Sequence, residues 1–539
     1  MREKYGAFHA AVNMLYDGDT LTLAADEDAP SVDPSVFDAV ADLIFNAGGF
    51  DINQVKDPAA RKLMRETANA INRGVDAHLP TDVPDTLRYA LEENGFIFSG
   101  FKTFHAMREI GLSLVNDKGE IKSYSDFQAD VLKLNAKYNT NYLYAEYKHA
   151  IGTCQMAAKW QKIEEDGDRY LLQYRTAQDE RVREEHALMD GITLPPSDPF
   201  WDKYYPPNGW GCRCTAVQVR RGKYTESEPA KAMMLGDNST AAAKQQIFRF
   251  NAGKEMTLFP PKHPYYKAPA EAKKAIKKVS KEEQAAQHKQ QLYDQLPDSL
   301  PKETREAIVA NTLELETELK TVCGKPMTIS AADRQSANPL WEPQYIEDES
   351  GRYRDKAGKR YSKNTKYKRA YHINCQTCTP AYVLRLRGFD VVAKGNTRGS
   401  KSNYLSRGMQ AWECWLNTDG TQAKHTSMRK WYEGKGYTSM TPEYYKAFFE
   451  EMTKEEGVYG LSIGWKGGGG HMTILQRLHD GSLVYIEPQH YDDTIGEQRP
   501  ITKLCDDGEK YPHECRGIMR IDDKIFNKDF APIFTKAKK

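Results

Sequence analysis

Two hydrophobic rhythms alternate along this chain. Up to about residue 100, amphipathic helical patterns alternate with polar loops; Pro34 to Phe45 is one such helix. From Ser125 to Lys162 a long helix is predicted, with Ser125 as its N-cap. Its stripe of Phe127, Val131, Leu134, Tyr138, Tyr142, Tyr144 and Tyr147 recurs mostly at three- and four-residue steps, the spacing of a packed helical face. Residues 170–217 change to short strands punctuated by Pro and Gly turns. Residues 268–299, rich in Lys, Ala, Glu and Gln, read as a solvated helix or linker and as the main domain boundary. Residues 342–371 are polar, basic and Tyr-rich, hence loop-rich. From His372 onward the order is helix, mixed, then strands. No internal repeat is visible.

Composition narrows the field. A chain of 539 residues is too long for one core, so two to four domains are expected. Its 40% hydrophobic and 11% aromatic content is enough to build those cores. Lys+Arg 76 against Asp+Glu 75 leaves a net charge of +1 and no general argument for nucleic acid or an anionic membrane as partner. Nine cysteines, an odd number, do not make a disulfide framework and suit reduced thiols. The start, Met1 to Gly6, lacks an apolar signal core, and no run approaches the ~18 apolar residues of a membrane span. Neither Sec export nor a membrane anchor is expected.

The middle segment carries an unusual order of residues. Tyr174 to His186 is followed by Asp190-Gly191-Ile192-Thr193-Leu194-Pro195, then Asp198-Pro199-Phe200-Trp201, then Tyr205-Pro206-Pro207-Asn208-Gly209-Trp210-Gly211-Cys212-Arg213-Cys214. Asp179, Arg181, Arg183 and His186 are placed for an ion-pair network, and the aromatic residues offer large areas to bury. His186, Cys212 and Cys214 are a candidate metal set. The one-residue Cys spacing is shorter than the usual zinc spacing of two to four, so no metal and no cofactor is expected. This order resembles the phage Mu F-like minor head protein (head morphogenesis) domain, over roughly residues 90–267, with Phe98 to Lys102 and Phe259 to Pro264 as flanks. The resemblance implies a low-copy head component near a portal.

The C-terminal third offers a thiol, an imidazole and a carboxylate in order. Asn374-Cys375-Gln376-Thr377-Cys378 precedes a helical pattern from Ala381 to Arg387, capped by Gly388. A thiol at a helix start is readily ionised. Proline is tolerated only in the first turn. A helix beginning near Cys378 suits Pro380, and this makes Cys378 the first candidate nucleophile and Cys375 the second. Half a zinc site from Cys375 and Cys378 would need Cys505 or Cys515 at no standard spacing. His471 follows four glycines and is the candidate base. The strands Met472 to Leu478 and Ser482 to Ile486 flank His479-Asp480-Gly481. A two-residue loop would turn His471 away from Glu487; a three-residue loop with Gly481 left-handed puts His471 opposite Gln489 and diagonal to Glu487 on one face. The three-residue loop is predicted, with Glu487 orienting His471 and Gln489 assisting. Cys–His–acid order of this kind suits nucleophilic acyl transfer. These residues, with Asn338-Pro339, Gly470-His471 and Glu487-Pro488-Gln489, resemble the papain-fold toxin family of glutamine-deamidase type over roughly residues 325–500. Glu487 replaces that family's usual Asp. Asn374 and Gln376 are assigned to oxyanion binding or orientation.

The expected fold is α+β and multidomain. It comprises a helical region (1–90), a Mu F-like head domain with a small β-rich part (90–267), a charged linker (268–320) and a papain-like domain with its Cys helix packed on an antiparallel sheet (321–539). The two resemblances imply a phage or prophage head protein with a fused effector that hydrolyses amide bonds, by glutamine deamidation. The alternatives are a cysteine protease and a purely structural head protein. Expected partners are phage portal and capsid proteins, a target-cell protein substrate and a cognate immunity protein. Expected locations are the bacterial cytoplasm during assembly, the phage particle, and the target-cell cytoplasm for the effector.

Overall fold

A computed structural model describes residues 2–16, 29–80, 83–319, 337–338, 346–347, 353–354, 360–361, 370–408, 410–438, 441–464, 469–489, 499–500 and 517–536. The chain divides into two compact units, Met1–Gln287 and His288–Lys539.

The first unit is mainly helical: α1 (Arg2–Tyr16), α2 (Pro34–Asn46), α3 (Pro58–His78), α4 (Asp85–Ser113), α5 (Tyr124–Asn135) and α6 (Leu143–Asp166). Asp33 and Asp57 cap α2 and α3, each ahead of a proline in the first turn, where its missing N–H costs nothing. The cap of α5 is Ser123, which accepts from the Asp126 N–H, so the expected Ser125 lies inside the helix. Between α5 and α6 the chain stays helical through a wider π turn, Ala136–Tyr142. The predicted stripe is buried at Phe127, Val131, Tyr138 and Tyr142, in a core shared with Val40, Leu63, Ile71 and Phe104.

A small antiparallel sheet follows, ordered β2-β1-β3, from β1 (Tyr170–Arg175), β2 (Thr193–Leu194) and β3 (Thr215–Arg220). The short helices α7 (Glu184–Ala187) and α8 (Phe200–Tyr204) lie within its connections. Trp160, Tyr174, Phe200, Trp201, Tyr204 and Tyr205 form its core, a satellite of the helical one. Three short helices, α9 (Pro229–Ser239), α10 (Ala243–Gln246) and α11 (Ala252–Glu255), complete this part. The segment expected as solvated helix or linker is one helix, α12 (Ala270–Asp294), and the division between the units falls within it.

The second unit starts with α13 (Lys302–Glu318) and a three-stranded ribbon of β4 (Ile346–Glu347), β5 (Tyr353–Arg354) and β6 (Arg360–Tyr361). Then come α14 (Cys375–Leu386), β7 (Val391–Ala393), α15 (Lys401–Leu405), β8 (Trp415–Leu416), β9 (Thr426–Ser427), α16 (Met428–Gly434) and α17 (Pro442–Met452). The last strands are β10 (Gly457–Gly464), β11 (Gly470–Arg477), β12 (Leu483–Ile486), β13 (Arg499–Pro500), β14 (Gly517–Arg520), β15 (Ile525–Phe526) and β16 (Phe534–Lys536). Five of them and β9 form an antiparallel sheet ordered β13-β12-β11-β10-β14-β9. Strand alternation feeds two cores. Met472, Ile474 and Ile486 join α14, while Leu475, Leu483 and Tyr459 join α16 and α17. The unit is thus a cysteine-bearing helix packed on an antiparallel sheet.

Candidate active site

α14 begins at Cys375, three residues earlier than the sequence suggests, and Pro380 lies inside it. A proline there removes one backbone bond. Every residue from Cys375 to Arg385 is buried, and packing outweighs that local penalty. Gly388 ends the helix at φ +91°, with the Phe389 N–H donating to the Leu384 carbonyl, as its sequence suggests.

This start reverses the order of the two candidate thiols. Cys378 is 0% exposed among Ala381, Leu384 and Ile474. Burial, then Cys375 and Glu487, push its thiol well above the usual range. Cys375, at the first helical position and 9% exposed, lines a cleft of about 780 Å³ together with His471, Gln376 and Gln489. Its thiol is within hydrogen-bonding reach of the His471 ring.

The hairpin supplies the other two groups. The Leu478 and Ser482 backbones close a three-residue loop, and Gly481 takes φ +80°. The resulting register pairs Leu475 with Tyr485 and Ile474 with Ile486, where β12 ends; continued at the same register it sets His471 opposite Gln489. Glu487 lies on the same face and reaches diagonally, its Oε2 2.5 Å from His471 Nε2. Two more donors fix that carboxylate: the Tyr485 hydroxyl at 2.8 Å on Oε2 and the Gln489 N–H at 2.9 Å on Oε1. Burial opposes a charge on His471, yet Glu487 and Cys375 outweigh it, and its pKa is raised well above the usual value.

Asn374 and Gln376 do not present amide donors to the cleft. Asn374 Nδ2 donates to Asn338 Oδ1 and the Lys394 carbonyl, and Asn374 Oδ1 accepts from Gln489 Nε2 at 3.2 Å. Gln376 Nε2 donates to the Ser402 carbonyl at 2.8 Å, leaving Oε1 3.6 Å from the Cys375 sulfur. Asn338 donates to the Gln489 carbonyl at 2.9 Å, so Asn338, Asn374 and Gln489 form a buried brace behind the site. Pro339, Gly467, Gly468, Cys505 and Cys515 lie outside the described residues. Gly469 and Gly470 line the cleft, and a Cβ on Gly470 would sit 2.8 Å from the Ile463 carbonyl oxygen. Tyr485 is the member that sequence reasoning missed; its signal was its place two residues before Glu487, on the same strand face.

In the first unit, the expected ion-pair network is divided. Asp179 pairs with Arg213 at 2.6 and 2.5 Å and, as expected, with Arg181 at 3.9 Å, while Arg183 donates to the Trp210 carbonyl at 2.6 Å. His186 turns instead to two sulfurs: its Nδ1 lies 3.6 Å from Cys212 Sγ and 3.7 Å from Cys214 Sγ.

The chain is therefore a two-unit α+β protein, with a thiol–imidazole–carboxylate cluster in the second unit and a Mu F-like domain in the first. Residues 119–217 match the family model described as Phage Mu protein F like protein. The putative capsid assembly protein F of Escherichia phage Mu is 32% identical over 92 residues, 17% of this chain and 18% of that protein. The Mu-like prophage FluMu F protein of Haemophilus influenzae is 27% identical over 174 residues, 30% of this chain and 40% of that protein. The chain thus spans less than half the length of these curated relatives. No solved structure matches it.

Proposed function

We propose that this chain is a phage or prophage head protein of the Mu F type whose C-terminal unit is a cysteine amidohydrolase. The first half of this reading rests on residues 119–217 and on the capsid assembly role in the name of the phage Mu relative. Its assembly partners would be portal and capsid proteins. The second half rests on one observation: Cys375 and His471 meet at the wall of a cleft, with the buried Glu487 bonded to the His471 ring.

The chemistry follows from the geometry. With His471 Nε2 held by Glu487, Nδ1 is the nitrogen left to take the Cys375 proton. The thiolate attacks a carboxamide carbon. The Thr377 and Cys378 N–H groups donate to the Asn374 carbonyl, so the Cys375 and Gln376 N–H groups at the start of α14 are the candidate donors to the oxyanion. The protonated His471 then gives its proton to the leaving ammonia, and water hydrolyses the thioester. Trp412, Ile463 and Met472 supply apolar walls for the stem of a glutamine side chain. Glutamine deamidation of a target-cell protein is the favoured reaction; proteolysis differs only in the leaving group. An effector of this kind would act in a target-cell cytoplasm and would need a cognate immunity protein in its producer.

Expression of the full chain in bacterial cells, compared with Cys375→Ala, tests the proposal. The wild type should be toxic and should convert glutamine to glutamate in a host protein whose chain stays intact. Backbone cleavage would make it a protease. Equal growth, with no altered host protein in either strain, would leave a structural head protein.

A further inference from the structure

Outside the cleft, one cluster has the chemistry of a metal site, and it lies in the Mu F-like segment. His186 Nδ1, Cys212 Sγ and Cys214 Sγ all lie within 4.8 Å of one another. His186 is 2% and Cys214 8% exposed, while Cys212 is half-buried and gives the cluster a way in from solvent.

The distances are those of a coordination polyhedron. Zinc bonds of about 2.3 Å to sulfur and about 2.0 Å to nitrogen, at a tetrahedral angle, set nitrogen and sulfur about 3.5 Å apart. Here the two separations are 3.6 and 3.7 Å. Hydrogen bonding also links these groups, since Cys214 lies within hydrogen-bonding reach of Cys212 and of the Tyr174 hydroxyl. One imidazole lone pair can accept one thiol proton, yet both sulfurs are equally near the same nitrogen. One cation bonded to all three satisfies both sulfurs and Nδ1 at once, while the buried His186 Nε2 keeps no partner among the described residues.

The short Cys spacing is no obstacle once the backbone is seen. The usual two-to-four spacing belongs to cysteines on a tight turn. Cys214 instead leads directly into β3, where residues two apart project to the same side. Cys212 and Cys214 lie just before that strand with their sulfurs within 4.8 Å of each other, so they can face one ion, and His186 arrives from α7. Nearby Tyr174 donates its hydroxyl to Asn208 Oδ1 at 2.9 Å and lies within hydrogen-bonding reach of Cys214.

We propose that His186, Cys212 and Cys214 bind a zinc ion that fastens α7 to the segment entering β3. Two thiolates and an imidazole suit a borderline-soft divalent ion, and a water fills the fourth position. Binding displaces the thiol protons to solvent.

Cobalt is the probe. The reduced, metal-free full chain should develop thiolate-to-cobalt charge-transfer absorption on adding Co²⁺, and Zn²⁺ should abolish it. The Cys212→Ser/Cys214→Ser double variant should lack that absorption. The wild type lacking it, or the double variant keeping it, would overturn the site. Should the double variant misfold by circular dichroism, alkylation of the wild type decides. Zinc should shield Cys212 and Cys214 from iodoacetamide, whereas equal labelling with and without zinc would refute the assignment.

Discussion

At the scale of single residues, the candidate site depends on which cysteine meets His471. Cys375→Ala should lower amidohydrolase activity about a thousandfold or more, measured as host-protein deamidation. Cys378→Ala should keep most activity and cost about 1 kcal/mol in urea unfolding, because that thiol is packed in the core. The His471–Glu487 pair makes its own pH prediction. The folded pKa of His471 lies well above 6.5, so the pair contributes fully below about pH 6.5 and loses that contribution as pH rises through the raised value. Glu487→Gln should therefore destabilise by about 3 kcal/mol at pH 6, with the gap to wild type narrowing in alkaline solution. Urea unfolding of both proteins across a pH series checks it. The sequence showed which groups were available but ranked first Cys378, the thiol that is packed in the core, and second Cys375, the one that lines the cleft. A rule about proline in helices is local, whereas burial of the whole of α14 is a tertiary quantity. Glu487 in place of the resemblance's Asp is accommodated by Tyr485 and the Gln489 N–H, which grip its carboxylate.

At the scale of elements, the β11–β12 hairpin was legible in detail. Loop length and strand parity are local, and a one-residue slip would have turned His471 to the opposite face. Gly481 at φ +80° carries that register. Gly481→Ala should cost about 1–2 kcal/mol in thermal unfolding through left-handed strain alone, since no atom lies within 4 Å of the added methyl. The long helical region was also legible, but its start was misplaced. Ser123 and Ser125 both offer a hydroxyl, and only the backbone direction at Ser123 makes one of them a cap. The wide turn at Ala136–Tyr142 carried no comparable signal, because its apolar spacing continues that of a regular helix.

At the scale of the whole molecule, two units with separate cores should unfold separately. Lys102 and Glu146 form a buried ion pair at 2.5 Å in the first unit. Lys102→Met would strand the carboxylate and cost about 3–5 kcal/mol. Scanning calorimetry should show two transitions, with Lys102→Met lowering only one and leaving deamidation unchanged; a single shifted transition would refute independence. The sequence by itself determined the helical first half, the Mu F-like motif order, the hairpin and its register, and the three kinds of group in the candidate site. Each of these is written in neighbouring residues, through periodicity, turn chemistry or an unusual local order. Tertiary structure alone decided that Cys375 rather than Cys378 faces His471, that Tyr485 steadies Glu487, that Asn374 and Gln376 spend their amides elsewhere, and that His186 converges on two sulfurs. Those outcomes depend on which distant segments share one buried space, and no local rule contains that information.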